Sequence, residues 1–201
     1  MTRHPAYKGF TLIETLVAIA VLTLAVSGPL LTASRAAIAA ETASYQLTAS
    51  YLAQEGIEYL RAVRDHYYLT AYAQNATDLS NTAWNDYLAA VSACRSSNGS
   101  RTCTLDPRLP MGVGNSLVPC SGNSCGPLYL VGCAQTANGL SCTPPNYYTQ
   151  STSAGVATPY TRVIRLYDIS ATDERVESTV TWNFHNTVYT VTVNDHLTPW
   201  Q

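Results

Sequence analysis

The chain changes its hydrophobic rhythm along its length. Residues 8–35, KGFTLIETLVAIAVLTLAVSGPLLTASR, are apolar or small between Lys8 and Arg35, and Glu14 is the single ionisable side chain inside them. A run of that length predicts a helix able to cross a hydrocarbon layer about 30 Å thick. Gly28-Pro29 interrupts it. Proline lacks an N–H and crowds the preceding turn, so a kink or a locally melted turn is expected there. Over 41–68 the pattern becomes amphipathic, with Ala49, Leu52, Ala53, Gly56, Leu60 and Val63 recurring at helical spacing. Such a stripe is suited to lie on a sheet. Gly56 costs a helix about 1 kcal/mol against alanine, so a close backbone approach is expected at that point. Glu55, Glu58, Arg61, Arg64 and Asp65 fall mostly off the stripe and read as a solvated face or a subunit contact rather than a catalytic acid pair.

A shorter helix is predicted over 81–93, with Trp84, Leu88 and Val91 as its buried side and Asn81 or Ser80 as its cap. Residues 94–142 are rich in Gly, Pro, Ser and Asn and read as irregular, with one strand expected over 128–133. The period then drops to two. A strand is predicted over 160–169, and Val176, Val180, Trp182 and Phe184 then alternate with Glu177, Thr179, Thr181 and Asn183. His185-Asn186 should turn the chain, after which Tyr189, Val191 and Val193 continue the inward face. Consecutive strands with short links make an antiparallel meander. The expected class is α+β: a long N-terminal helix, transmembrane and then amphipathic, packed on a C-terminal antiparallel sheet.

Composition narrows the function classes. The 201 residues carry a formal net charge of −2 with only 12% charged residues, which argues against broad electrostatic binding to nucleic acid. Six cysteines, Cys94, Cys103, Cys120, Cys125, Cys133 and Cys142, lie outside the apolar run and suggest an oxidising compartment. They form no C-x-x-C and no histidine falls among them, so disulfides are favoured over a zinc site. Six cysteines allow about fifteen connectivities. Nearest-neighbour pairing (Cys94–Cys103, Cys120–Cys125, Cys133–Cys142) is expected because each pair closes a short loop at low entropic cost. The basic residues Arg3 and Lys8 precede the apolar run, which places the C-terminal part outside the cytoplasm.

The segment KGFTLIE, from Lys8 to Glu14, resembles the processing site of type IV pilins and pseudopilins. The resemblance implies a leader over 1–9, cleavage after Gly9 by a prepilin peptidase, and methylation of the new N-terminus at Phe10. Glu14 lies four residues on, a spacing that puts it on the same helical face as Phe10. Its carboxylate is then expected to neutralise an N-terminal amine, its own or, as the family implies, a neighbouring subunit's. Losing Arg3 and Lys8 would leave nine basic side chains against thirteen acidic ones and no lysine. LAQEGIEYLRAVRD, over 52–65, and the closing HLTPW resemble segments of a group of minor pilins.

The implied organisation is a leader over 1–9, a membrane and filament-core helix over 10–35, a stalk helix over 36–68 and an extracytoplasmic head over 69–201. Within the head lie a disulfide-rich region (94–142) and a meander (160–194). The implied partners are other pilin subunits through the N-terminal helix, the prepilin peptidase, the pilus assembly machinery and the inner membrane. The location is the inner membrane and then an extracellular filament. A pseudopilin of a secretion or competence system shares all of this logic. The more distant alternative is a secreted enzyme or binding domain with an ordinary signal peptide, cut near Ala37-Ile38-Ala39.

Candidate chemistry is thin. His66, His185 and His196 are scattered with no nucleophile beside them, so neither an enzyme nor a cofactor is expected. Asp168, Asp173 and Glu174 lack regular calcium-ligand spacing and read as a solvated turn. Arg95, Arg101 and Arg108 read as ordinary surface arginines, with contact to DNA or an anionic surface as the lesser expectation.

Overall fold

A computed structural model describes residues 9–111, 116–121, 125–137, 139–150 and 155–199. Residues 1–8 of the expected leader and the final tryptophan of HLTPW lie outside the described residues. The chain divides into two compact units, 1–45 and 46–201, and helix α1 (Leu12–Ala73) contributes to both.

In the first unit α1 is continuous, and Pro29 sits inside it without ending it, so the expected melted turn is absent. The Thr32 hydroxyl donates to the carbonyls of Gly28 and Pro29, one turn along. Large apolar side chains from Leu12 to Leu31 are more than half exposed.

In the second unit the remainder of α1 is followed by α2 (Leu79–Val91), a single 3-10 turn (Ser92–Cys94) and eight strands. These are β1 (Arg95–Ser96), β2 (Cys103–Leu105), β3 (Leu117–Pro119), β4 (Pro127–Thr136), β5 (Gly139–Thr149), β6 (Val156–Ser170), β7 (Asp173–Phe184) and β8 (Thr187–Leu197). All eight form one sheet organised on β6. One edge of β6 pairs antiparallel with β7 from Tyr160 to Ser170, and β7 pairs with β8. The other edge is shared in turn by β4, β2 and the parallel β1. The meander is thus β6–β7–β8, and His185 and Asn186, both at positive φ (49° and 62°), make its two-residue turn.

The α1 stripe lies on this sheet: Ile57, Leu60 and Val63 share one core with Ile164, Leu166 and Val176. Ala49, Leu52 and Ala53 are buried on the same helix. A Cβ at Gly56 would come within 2.5 Å of Ser178 Oγ and 2.8 Å of Ile164 Cδ1. Helix α2 closes the core from another side with Trp84, Tyr87 and Val91, and Trp84 Nε1 donates to the Ala171 carbonyl at 2.8 Å. The disulfides are Cys94–Cys103, Cys120–Cys125 and Cys133–Cys142.

Several expectations need correction. The cap of α2 is Asp78, whose side chain accepts from the Asn81 N–H, rather than Asn81 or Ser80. The cysteine-rich region is not irregular with one strand. It holds the β2–β3 pair and the β4–β5 hairpin, whose strands are 10 and 11 residues long. Tyr189 lies on the inward-pointing side of β8 but is 36% exposed, because it stands at the sheet's rim.

Candidate processing and assembly site

The N-terminal site is built from Gly9, Phe10, Thr11 and Glu14. Helix α1 starts at Leu12, and Thr11 accepts there from Glu14 N–H through its carbonyl (3.1 Å) and its hydroxyl (3.4 Å). Thr11-Leu12-Ile13-Glu14 therefore has the threonine-x-x-glutamate spacing of a capping box. Phe10 precedes the helix, so the expected sharing of a helical face by Phe10 and Glu14 does not hold here: the capped turn begins after Phe10. Phe10 is 81% exposed.

A Cβ at Gly9 or at Gly28 would meet nothing within 4 Å, and neither residue has positive φ. Among the described residues, neither packing nor backbone strain requires glycine at position 9. Glu14 is exposed, and no cation pairs with it among the described residues. It stands at the start of a helix whose large apolar side chains from Leu12 to Leu31 are also more than half exposed.

The head carries its own polar apparatus. Leu52, Gly56, Leu60 and Val63 all lie in the helix–sheet contact. The principal residue that pattern reading passed over is Arg162, fully buried on β6. Its guanidinium donates to Glu55 Oε2 (2.5 Å), the Leu52 carbonyl (3.2 Å) and the Leu105 carbonyl (2.7 Å), tying α1 to β2. Burial pulls its pKa below the usual arginine value, and the Glu55 carboxylate opposes that shift. Glu58 pairs with Arg61, which also reaches Asp195 on β8. Glu55 and Glu58 are thus each committed to an arginine.

Asp168, Asp173 and Glu174 are not a solvated turn. Arg95 bridges Asp168 and the fully buried Glu174, both at 2.6 Å, and His196 Nδ1 lies 2.8 Å from Asp173. Burial raises the Glu174 pKa, and Arg95 acts against that rise. Arg95 is accordingly a structural arginine. Arg101 donates to the Ser92 carbonyl, and Arg108 stacks on the Tyr147 ring at 3.8 Å. An alternating β-strand pattern gives no sign that position 162 or 174 holds a buried charge. The only available signal was an ionisable residue at an inward position of the alternation. His66, His185 and His196 are on different elements, and among the described residues no group of three or more His, Cys, Asp or Glu is arranged to hold a metal ion.

No curated protein and no solved structure matches the chain significantly. Residues 5–28 match the family described as the prokaryotic N-terminal methylation motif, so this N-terminus carries the signal found on type IV pilin precursors.

Proposed function

We propose that the chain is a structural minor pilin. A prepilin peptidase removes the leader after Gly9, Phe10 is methylated, and the mature subunit waits in the inner membrane with its head outside. It then enters a filament by packing its apolar helix against those of other subunits. The observation that carries this reading is the methylation motif over 5–28, which runs into the first turns of a helix long and apolar enough to span a bilayer. The uncovered apolar surface of the first unit supports it, since exposed apolar patches larger than a few hundred Å² mark lipid or protein contact. Glu14 fits the same scheme. A lone carboxylate at mid-membrane costs about 2.5–3.5 kcal/mol, and a neighbour's N-terminal amine would relieve that cost on assembly.

Mass spectrometry of the mature N-terminus tests the proposal. A chain beginning with methylated Phe10 supports it. A chain beginning near Ala40 lacks the apolar half of α1 and, with it, the filament.

A further inference from the structure

We propose that the cleft between α1 and β5 binds a neutral pyranoside, one sugar ring of a glycan, stacked on tyrosine. Thr48, Tyr51, Leu52 and Glu55 follow one another at helical spacing and form one wall, and Tyr147 and Tyr148 of β5 form the other. All six residues belong to the second unit. The cleft measures about 470 Å³, within the range of about 300–1,000 Å³ usual for small-molecule sites. Tyr51 is 63% exposed on a helix that otherwise packs on the sheet, so its ring stands outside the core.

The walls are held in place by the fold itself. Tyr148 packs edge-on against Tyr160, with ring centroids 6.2 Å apart, and Tyr160 lies 6.3 Å from Trp182. The Arg108 guanidinium sits over the Tyr147 ring at 3.8 Å. Arg162 holds Glu55 through Oε2, so the carboxylate is pinned at the cleft while Oε1 remains able to accept. Among the described residues no hydrogen bond engages the hydroxyl of Tyr51, Tyr147 or Tyr148. The cleft thus offers flat ring faces with polar atoms set between them.

The chemistry of these groups selects the ligand. Charge is cancelled locally: Glu55 pairs with Arg162, and Arg108 lies 3.7 Å from Asp106. A free anion or cation therefore finds no unpaired counter-charge. A quaternary ammonium would seek the tyrosine faces, but Arg108 already covers one face of Tyr147, and a second cation beside it would be repelled. A wholly apolar ligand would strip water from the Glu55 carboxylate and the phenol groups without replacing their hydrogen bonds, which is costly. A pyranoside meets both demands. Its C–H bonds present a weakly positive surface to the negative face of an aromatic ring. Its hydroxyls project around the ring, where one can donate to Glu55 Oε1 and others can exchange hydrogen bonds with the phenol groups.

The test uses the full chain in micelles of a polyoxyethylene detergent, which carries neither sugar nor ammonium. The probes are the methyl pyranosides of glucose, galactose, mannose and N-acetylglucosamine, with sorbitol as an open-chain polyol control. Saturation-transfer NMR should show saturable binding of at least one pyranoside, strongest at the C–H protons of one ring face, and none of sorbitol. Tyr51→Ala should weaken that binding by about fivefold or more, whereas Tyr51→Phe, which keeps the ring, should retain most of it. Tyr51 is exposed, so both variants should fold, and tryptophan fluorescence checks that they do. No pyranoside binding above that of sorbitol, binding unaffected by Tyr51→Ala, or displacement by tetramethylammonium would each overturn the proposal. The measurement needs neither leader cleavage nor a filament, so it succeeds or fails independently of the function proposed above.

Discussion

At the scale of single residues, the buried guanidinium of Arg162 makes the sharpest prediction. Its carboxylate partner Glu55 is 41% exposed and on its own would be nearly neutral to remove. Glu55→Ala, however, strands a buried cation, so the loss should lie toward the lower end of about 3–5 kcal/mol. The double variant Glu55→Gln/Arg162→Met should recover much of it, because no buried charge then remains. Unfolding of the full chain in detergent, followed by tryptophan fluorescence, measures both. Gly56 gives a second prediction. Alanine there gains about 1 kcal/mol of helix propensity but overpacks a filled contact, at about 1–3 kcal/mol. Gly56→Ala should therefore destabilise, and adding Ser178→Ala should restore part of the loss, because it removes the nearest obstructing oxygen. A double-mutant cycle that came out additive would refute this coupling. Gly56 was legible as a glycine in an apolar helical stripe, a place where only close packing repays its cost. Arg162 was not, since a charge at an inward strand position carries no local mark of the carboxylate more than a hundred residues away.

At the scale of elements, regular hydrophobic patterning found what it could reach. The α1 stripe and the β6–β7–β8 meander are long, periodic and bounded by recognisable turns. Strand β5 was hidden because GLSCTPPNYYT contains a glycine and two prolines, which read as loop. Prolines are tolerated there because, among the described residues, the strand pairs only with β4 and its other edge has no ladder to donate to. The α2 cap was misplaced by a few residues, since Asp78, Ser80 and Asn81 are all competent caps and only the geometry chooses. Disulfides also act at this scale. Cys94–Cys103 and Cys133–Cys142 close loops of equal length, each worth about 2–3 kcal/mol from the unfolded chain. Cys94 and Cys103 also lie in the core, whereas Cys133 and Cys142 staple an exposed hairpin. Replacing the first pair by alanine should lower the unfolding midpoint clearly more than replacing the second. Equal losses would mean that loop entropy alone accounts for both.

At the scale of the whole molecule, the two units pose opposite problems. The second buries its apolar residues internally, while the first leaves Leu12, Ile13, Leu16, Val17 and Ile19 uncovered and holds one acid among them. The acid has two candidate roles, and one substitution separates them. As the last residue of the Thr11–Glu14 capping box, Glu14 would serve the helix terminus, and glutamine serves equally well there. As the charge that receives an incoming N-terminal amine, it cannot be replaced by glutamine. Glu14→Gln should therefore leave membrane insertion, leader cleavage and the start of α1 unchanged while lowering recovery in filaments by at least about tenfold, because a buried amine is left without its counter-charge. Glu14→Val should behave the same way and insert at least as readily, since it removes the one charge from the span. Quantifying the subunit in purified filaments against the membrane fraction decides between the roles. Normal incorporation of Glu14→Gln would assign the carboxylate to the helix cap and leave apolar packing alone to drive assembly.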